Sequence, residues 1–207
     1  MPTPQEITTF TDAEPPPGVS PWVDGAGPLT GIEVVDPDPA WPQIYAFLDA
    51  RIREALGDLV VDLAHVGSTA VPGLAAKPVI DIDLLVEQPA AEGSYVPALC
   101  SLGFTLVVRE PWWSDHRCLR SVDPMANLHV FGPDSPEPVR HRILRDHLRT
   151  SADDRDLYAA AKRDAAARAN AEGEHVMQYN ARKEPVVREI YSRAFAAAGL
   201  LGARGGI

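Results

Sequence analysis

The chain has 207 residues, of which 45% are hydrophobic and 23% charged, a composition typical of one globular domain with a sizeable core. Its formal net charge of −10 at pH 7 disfavours long nucleic acid as a ligand, because nucleic acids are attracted by broad basic surfaces. No apolar run approaches the roughly 20 residues of a membrane span, and no secretory signal pattern is present, so the sequence predicts a cytoplasmic protein without a membrane partner.

The chain divides by composition into an arm, a domain and a tail. Residues 1–30 hold seven of the twenty prolines and little apolar periodicity, which predicts a Pro-rich flexible arm. We expect residues 31–200 to form a single domain and residues 201–207 a C-terminal tail. Residues 138–207 carry 13 basic and 9 acidic side chains, so a small anion held between this basic part and an acidic part is the kind of ligand expected.

Strand patterns come first in the domain and helical patterns last. An amphipathic helix is predicted from a cap at Asp38 to Gly57, and a second helix over residues 90–102. Strands are predicted at residues 60–66, 79–86, 104–108, 117–122 and 127–131. From Pro136 onward the pattern is helical, with breaks predicted near Thr150–Ser151 and Gly173 and a further break considered at Pro185. This order predicts an α+β fold with a mixed sheet flanked by helices and a helical C-terminal portion.

A Gly-Ser turn followed by two aspartates is the most informative motif. Gly67 and Ser68 end an apolar strand, and the next strand presents Asp81 and Asp83 on one face because they are two residues apart. Paired carboxylates suit Mg²⁺ or Mn²⁺, which leaves other coordination positions to water and phosphate. Backbone N–H groups of the turn, with the hydroxyls of Ser68 and Thr69, suit phosphate oxygens. The motif predicts a metal-bound nucleoside triphosphate.

This pattern resembles the nucleotidyltransferase superfamily of the polymerase-beta type, and more narrowly the GrpB-like family, over roughly residues 32–198. The opening stretch His65 to Pro78 carries the closest similarity. Further stretches agree in the same order: residues 38–42, 127–130 and 145–149, Tyr158 with Lys162, and Tyr179 with Lys183. The resemblance implies a nucleotidyltransferase-like fold, and the family's reaction is poorly defined.

Cationic and aromatic side chains outside the motif are candidates for the triphosphate pocket. Lys77 precedes the second strand and is placed to reach a phosphate as a point charge. Arg145 is favoured among the helical arginines because it lies in a stretch that matches the family. The pairs Tyr158–Lys162 and Tyr179–Lys183 each place a ring and an ammonium on one helical face, although such pairs also occur in ordinary surface packing.

His129 stands where enzymes of the polymerase-beta type generally carry a third carboxylate. It shares a strand face with Asn127 and Phe131. Neutral imidazole is a poor Mg²⁺ ligand, so a general base is one interpretation of His129, and a packed, hydrogen-bonded histidine is another. A site that binds nucleotide with little turnover is a third.

Two hypotheses follow. In the first, an Mg²⁺-dependent enzyme transfers a nucleotidyl group from a triphosphate, with ATP the favoured nucleotide, to a small acceptor. The catalytic residues would be Asp81, Asp83 and His129, and a carboxylate acceptor would give an acyl-nucleotide for ligation to an amine. In the second, the chain is a non-catalytic nucleotide-binding or sensor module.

Overall fold

A five-stranded mixed sheet organises the protein, in a computed structural model that describes residues 1–11 and 15–201. The strands are β1 (Asp62–Val66), β2 (Ile80–Leu85), β3 (Thr105–Glu110), β4 (His116–Val122) and β5 (Met125–Phe131). Their order in the sheet is β1-β2-β5-β4-β3. Strands β2 and β5 run parallel, and the other neighbours are antiparallel.

Helices cover both faces of the sheet. They are α1 (Pro4–Thr8), α2 (Trp41–Leu56), α3 (Val96–Ser101), α4 (Pro136–Thr150), α5 (Ala152–Ala171) and α6 (Val176–Ala197). The helices α2 and α3 pack on one face, and α4, α5 and α6 lie over the other. The predicted α+β class, with helices flanking a mixed sheet and a helical C-terminal portion, is confirmed. None of the helices in the described part of the chain has the length and apolar character needed to cross a membrane.

The main core lies between the sheet and α2. Ile80, Ile82 and Leu84 of β2 point into it and contact a cluster that includes Leu48 and Ile52 of α2. Because side chains alternate along a strand, Asp81 and Asp83 point to the opposite face, toward α4–α6. The alternation of β2 therefore separates the core from the candidate site.

Two helix predictions differ from the structure. The helix predicted over residues 90–102 is shorter, with a 3-10 turn at Glu92–Ser94 followed by α3, whose first turn contains a proline. Pro185 lies inside α6 without ending it. Its neighbours Val186 and Val187 pack against an apolar cluster, and this packing compensates for the hydrogen bond that proline cannot donate.

The N-terminal arm contacts the domain at separate points. Ile7 of α1 packs with Tyr191 and Phe195 of α6. Trp22 forms an isolated antiparallel bridge with Val108 at the free edge of β3. Residues 12–14 of the arm and 202–207 of the predicted tail lie outside the described residues. The flexibility of the arm and the domain boundaries stay predictions.

Candidate functional site

A cavity of about 530 Å³ lies between the polar face of the sheet and helices α4–α6. Its volume is in the range typical of small-molecule sites. Most of the residues predicted for the site line it: Gly67, Ser68, Lys77, Asp81, His129, Tyr158, Lys162, Tyr179 and Lys183. The fold therefore brings residues from β1–β2, β5, α5 and α6 to one place.

Gly67 brings the Gly-Ser turn into contact with the Asp81 carboxylate. Its φ of +67° is in the left-handed region, and a Cβ added there would lie 2.5 Å from Oδ2 of Asp81. Only glycine allows this approach, so the turn packs directly on the Asp81 side chain. Ser68 lines the cavity beside it.

Thr69, predicted to face phosphate, is turned away from the cavity. Its buried Oγ1 lies 3.0 Å from Nε2 of His65 and donates to the carbonyl of Val79. His65 in turn stacks on Tyr45, with ring centroids 4.7 Å apart. In this arrangement Thr69 stabilises the turn from the side away from the cavity, and Ser68 is the hydroxyl residue of the pair that lines the cavity.

Asp81 is the carboxylate that reaches the cavity. Its side chain is 32% exposed and accepts a hydrogen bond of 3.0 Å from Nδ2 of Asn127, its neighbour on β5. Burial opposes its ionisation, but His129, Asn127 and Lys77 outweigh this and hold the pKa of Asp81 below its usual range. Asp81 is therefore an anion at neutral pH.

Asp83 is enclosed. Its side chain is 0% exposed, and its two oxygens lie 3.1 and 2.9 Å from Nδ1 of His141 on α4. Burial opposes the charge of this histidine, but the Asp83 carboxylate raises the pKa of His141. The two aspartates thus share a strand face but have different surroundings, and Asp83 does not line the cavity.

This difference bears on the predicted metal ion. Among the residues that the structure describes, no three His, Cys, Asp or Glu side chains are arranged to hold a metal ion. Mg²⁺ is commonly bound by one or two carboxylates together with substrate phosphates. The residues present fit a cation shared by Asp81 and a bound phosphate chain. Asp83 would join only after it separates from His141.

His129 belongs to a hydrogen-bonded chain that begins at Glu110. Oε2 of Glu110 lies 2.8 Å from Nδ1 of His116, and Nε2 of His116 lies 3.1 Å from Nδ1 of His129. A carboxylate only accepts, so Nδ1–H of His116 donates to Glu110. In a neutral His116 ring the other nitrogen, Nε2, then accepts, and its donor is Nδ1–H of His129. Nε2 of His129 is left facing Asp81, 3.9 Å from its Oδ1.

The two histidines of this chain differ in charge. Burial lowers the pKa of His116 to about 4, so its ring is neutral at pH 7. Burial also opposes the charge of His129, but the neighbouring Cys118 and Asp81 raise the pKa of His129 well above its usual value. A charged His129 donates hydrogen bonds from both nitrogens, so it is better suited to contact an anionic oxygen than to remove a proton.

Lysines and tyrosines from α5 and α6, together with Lys77 from the segment before β2, form the opposite wall. Nζ of Lys77 and of Lys183 lie 5.5 and 5.3 Å from the ring centroid of Tyr179, within cation–π range. Lys183 also lies 3.4 Å from the hydroxyl of Tyr158. Burial lowers the pKa of Lys77. These ammonium groups make the wall attractive to phosphate.

Lys162 and Arg145 are partly committed to backbone contacts. Nζ of Lys162 is buried, donates to the carbonyl of Ala75 and lies 4.3 Å from the ring centroid of Tyr158, and burial lowers its pKa to about 6. Arg145 donates to the carbonyl of His65 and lines a smaller recess behind the Gly-Ser turn. Arg145 therefore supports the turn from outside the main cavity.

Several cavity residues were not among those predicted: Trp22, Leu29, Glu110, His116, Arg120, Asn127 and His141. Strand alternation could have indicated Asn127, which is two residues from His129, and Arg120 on the preceding strand. The pairing of His141 with Asp83 joins residues far apart in the chain, and no local pattern signals it.

Comparisons with known proteins agree on one family. Residues 31–193 match the family described as GrpB protein. A UPF0157 protein of Halalkalibacterium halodurans is 44% identical over 165 residues, covering 80% of this chain and 83% of that protein. A dephospho-CoA kinase of Mycolicibacterium paratuberculosis is 33% identical over 190 residues, but the match covers only 46% of the kinase and 79% of this chain.

A solved structure agrees with the fold. The crystal structure of conserved protein GrpB from Enterococcus faecalis superposes with a TM-score of 0.70 and 24% identity, covering 80% of this chain and 99% of that one. At this level of identity, the similarity supports the architecture of the sheet and helices. With the family match over most of the chain, the conclusion is that this protein belongs to the GrpB family.

Proposed function

We propose that the cavity binds a nucleoside triphosphate and transfers its nucleotidyl group to a small acceptor molecule. The observation that carries the proposal is the contact between Gly67 and Asp81, which leaves no room for a Cβ. This contact places a turn of the phosphate-binding type directly against the ionised carboxylate of Asp81, within one cavity.

The triphosphate end is assigned to the turn and the lysine wall. Ser68 and the backbone of its turn would hold the terminal phosphates, and Lys77 and Lys183 would neutralise their charge. A divalent cation, when bound, would offset further negative charge on the phosphates and reacting oxygens. The side chain of Asn127 holds Asp81 in place by its hydrogen bond.

The reaction itself requires little covalent chemistry from the protein. The nucleophilic atom of the acceptor forms a bond to the α-phosphorus, and the bridging oxygen leaves with pyrophosphate and its electron pair. Such transfers depend mainly on positioning and charge stabilisation. Nε2 of His129 faces the Asp81 side of the cavity, where it would orient the acceptor or contact an α-phosphate oxygen.

A binding or sensor role without turnover is the second candidate, and the state of Asp83 favours it. A carboxylate bonded through both oxygens to His141 cannot contribute to the reacting centre until that contact opens. The name of one relative, a kinase of dephospho-CoA, is consistent with nucleotide binding in either case. Pyrophosphate release separates the two candidates.

The first test is calorimetric titration of ATP and the other nucleoside triphosphates, each with and without Mg²⁺, into wild type and Asp81→Asn. We expect metal-dependent binding to weaken at least about tenfold in the variant, because a charged ligand is lost. Asp164→Asn is the matched control, since Asp164 is exposed and pairs only with Arg168 among the described ion pairs. Equal binding by Asp81→Asn and wild type would refute the site.

The second test follows pyrophosphate release with pooled small molecules as acceptors. Release that depends on a pool supports nucleotidyl transfer and begins to identify the acceptor. Tight triphosphate binding with no release from any pool would instead support the sensor role.

A further inference from the structure

The strand register arranges the cavity face into rows that cross the sheet. One row runs from Asp81 on β2, through Asn127 on β5, to Arg120 on β4. Neighbouring strands lie about 4.8 Å apart, so β4 is about 10 Å from the strand that carries Asp81. The row therefore places a cation, Arg120, two strands away from Asp81 and well separated from the Gly-Ser turn beside β1.

A second row leads to the N-terminal arm. It begins at Asp83 on β2 and passes His129 on β5 and Cys118 on β4. It ends at Val108 on β3, which bridges to Trp22. Residues on β4, on β3 and in the arm thus form the end of the cavity opposite the turn.

These rows distinguish two ends of the cavity, one at the Gly-Ser turn and one at β4 and β3. The assignment of a role to the second end rests on the proposed function. In a transfer at phosphorus, the attacking and leaving oxygens lie roughly in line on opposite sides of the phosphorus. If pyrophosphate leaves toward Gly67 and Ser68, the acceptor approaches from the side of β4 and β3. The residues at that end then decide which acceptor is accepted.

Arg120 is the cation that β4 contributes to the acceptor end. Its side chain lines the cavity, and among the described residues its buried Nε has no hydrogen-bond partner. An unpaired buried guanidinium nitrogen is costly, so a ligand that accepts its hydrogen bond gains affinity. Guanidinium groups bind carboxylates in a two-pronged geometry that a simple hydroxyl or amine cannot match.

Glu110 on β3 and His116 on β4 also line the cavity, but they are hydrogen-bonded to each other, and the other residues at this end are largely apolar. Leu29, Met125 and Met177 are exposed large hydrophobic residues that line the cavity together with Trp22 and Val108. Exposed apolar groups gathered at one cavity are typical of a binding surface. An apolar wall next to an arginine selects a ligand with a hydrocarbon part and an anionic end.

The arm that contributes to this wall is held in place. The N–H of Val23 donates to the carbonyl of Val107, and the N–H of Arg109 donates to the carbonyl of Pro21, so Trp22 is fixed against the edge of β3. The N–H of Val176 donates to the carbonyl of Leu29. These arm residues lie outside the family match at residues 31–193.

We propose that the acceptor is a carboxylic acid with an aromatic or branched aliphatic group, whose carboxylate is bound by Arg120 and whose hydrocarbon part packs on Trp22 and its apolar neighbours. One carboxylate oxygen forms a bond to the α-phosphorus, and the α–β bridging oxygen leaves with pyrophosphate and its electron pair. The product is an acyl-nucleotide. The carboxylate is already ionised, so no proton is transferred.

The test uses the full chain without nucleotide, so that it is independent of the proposed transfer. Phenylacetate, acetate and benzylamine are titrated by saturation-transfer NMR and calorimetry. We expect phenylacetate to bind at least about tenfold more tightly than acetate or benzylamine, because only it offers both a carboxylate and a ring. Arg120→Gln and Trp22→Ala should each weaken phenylacetate binding by about tenfold.

Matched controls separate these effects from changes in folding. Arg163→Gln and Phe47→Ala remove an exposed arginine and an exposed aromatic ring, neither of which lines the cavity, and should leave phenylacetate binding unchanged. Circular dichroism confirms that each variant is folded. Arg120→Lys keeps the positive charge but lacks the planar guanidinium group. Phenylacetate binding that is stronger than in Arg120→Gln but weaker than in the wild type supports the proposed contact.

Three outcomes would overturn the acceptor assignment. One is equal binding of phenylacetate by wild type and Arg120→Gln. Another is loss of ATP binding but not of phenylacetate binding in Arg120→Gln, which would make Arg120 a phosphate ligand. The third is pyrophosphate release with amines or alcohols and none with apolar acids, which would leave the proposed nucleotidyl transfer intact. Failure of ATP binding alone would refute the transfer and not the acid subsite.

Discussion

Two regions of the protein concentrate charge in buried surroundings, and they use it differently. The arginine anchor consists of Arg140 and Glu137 on α4 with the carbonyls of Glu6, Ile7 and Thr9. Arg140 is 2% exposed and donates to Glu137 and to all three carbonyls, including a bond of 2.7 Å to Ile7. In the cavity, by contrast, Lys183 contacts mainly aromatic rings, and Nε of Arg120 has no partner in the described part of the chain.

The difference distinguishes structural charge from charge available to a ligand. The hydrogen bonds of Arg140 are used within the protein, where they join the N-terminal helix to α4, so its loss should affect stability. The cationic groups of the cavity keep unused hydrogen-bonding capacity. This lowers the stability of the free protein, and an anion that binds there restores the lost stability. The following predictions, ordered by expected effect, test this distinction.

Removing the anchor should have the largest effect on stability. Arg140→Met leaves Glu137 and three carbonyls without their donor, and we expect the free energy of unfolding to fall by about 3–5 kcal/mol. Urea unfolding measures this loss. Arg163→Met, which breaks an exposed ion pair with Asp36, should cost within about 1 kcal/mol. Similar losses in both variants would show that the anchor is not a special structural contact.

Lowering the pH should destabilise the protein through His116, the neutral histidine in the cavity. The pKa of His116 is lowered to about 4, so between pH 6.5 and 4 the unfolded chain binds more protons than the native protein. Stability therefore falls as the pH drops through this window, by about 2 kcal/mol between pH 7 and 5 for this one histidine. Urea unfolding at both pH values measures the fall.

A variant isolates that contribution. His116→Asn removes the titrating ring, so its stability should decrease less between pH 7 and 5 than that of the wild type. His65, whose pKa burial also lowers to about 4, should continue to destabilise the variant in acid. If His116→Asn lost as much stability between pH 7 and 5 as the wild type does, the assignment of a neutral, buried His116 would be contradicted.

The smallest of the three effects concerns ligand affinity alone. Lys183→Met removes an ammonium that contacts the rings of Tyr158 and Tyr179, and we expect ATP affinity to fall about tenfold with stability nearly unchanged. Lys162→Met is the comparison, because Nζ of Lys162 already donates to the carbonyl of Ala75. Calorimetry should show the larger loss for Lys183→Met, and equal losses would contradict this ranking.

Sequence reasoning succeeded where the relevant residues are close in the chain or periodic. The alternation of Ile80, Asp81 and Ile82 placed an aspartate on the face opposite the core, and the strand-then-helix order predicted the fold class. It did not distinguish Asp81 from Asp83, because the difference comes from His141, which lies 58 residues beyond Asp83.

The acceptor end of the cavity was not predictable for a related reason. Arg120 has no motif around it, and its significance comes from the register of β4 beside β5. Trp22 lies in a Pro-rich segment whose composition predicts flexibility, and only its pairing with β3 brings it to the cavity. Contacts of this kind depend on tertiary packing, which local periodicity does not encode.

The pairing of residues 21–23 with β3 has a consequence for self-association. A sheet edge exposes unpaired N–H and C=O groups that can recruit a strand from another molecule. The hydrogen bonds from Val23 to Val107 and from Arg109 to Pro21 occupy part of that edge. Shortened forms of the protein that lack the first 30 residues would uncover it, and we expect them to aggregate more readily than the full chain.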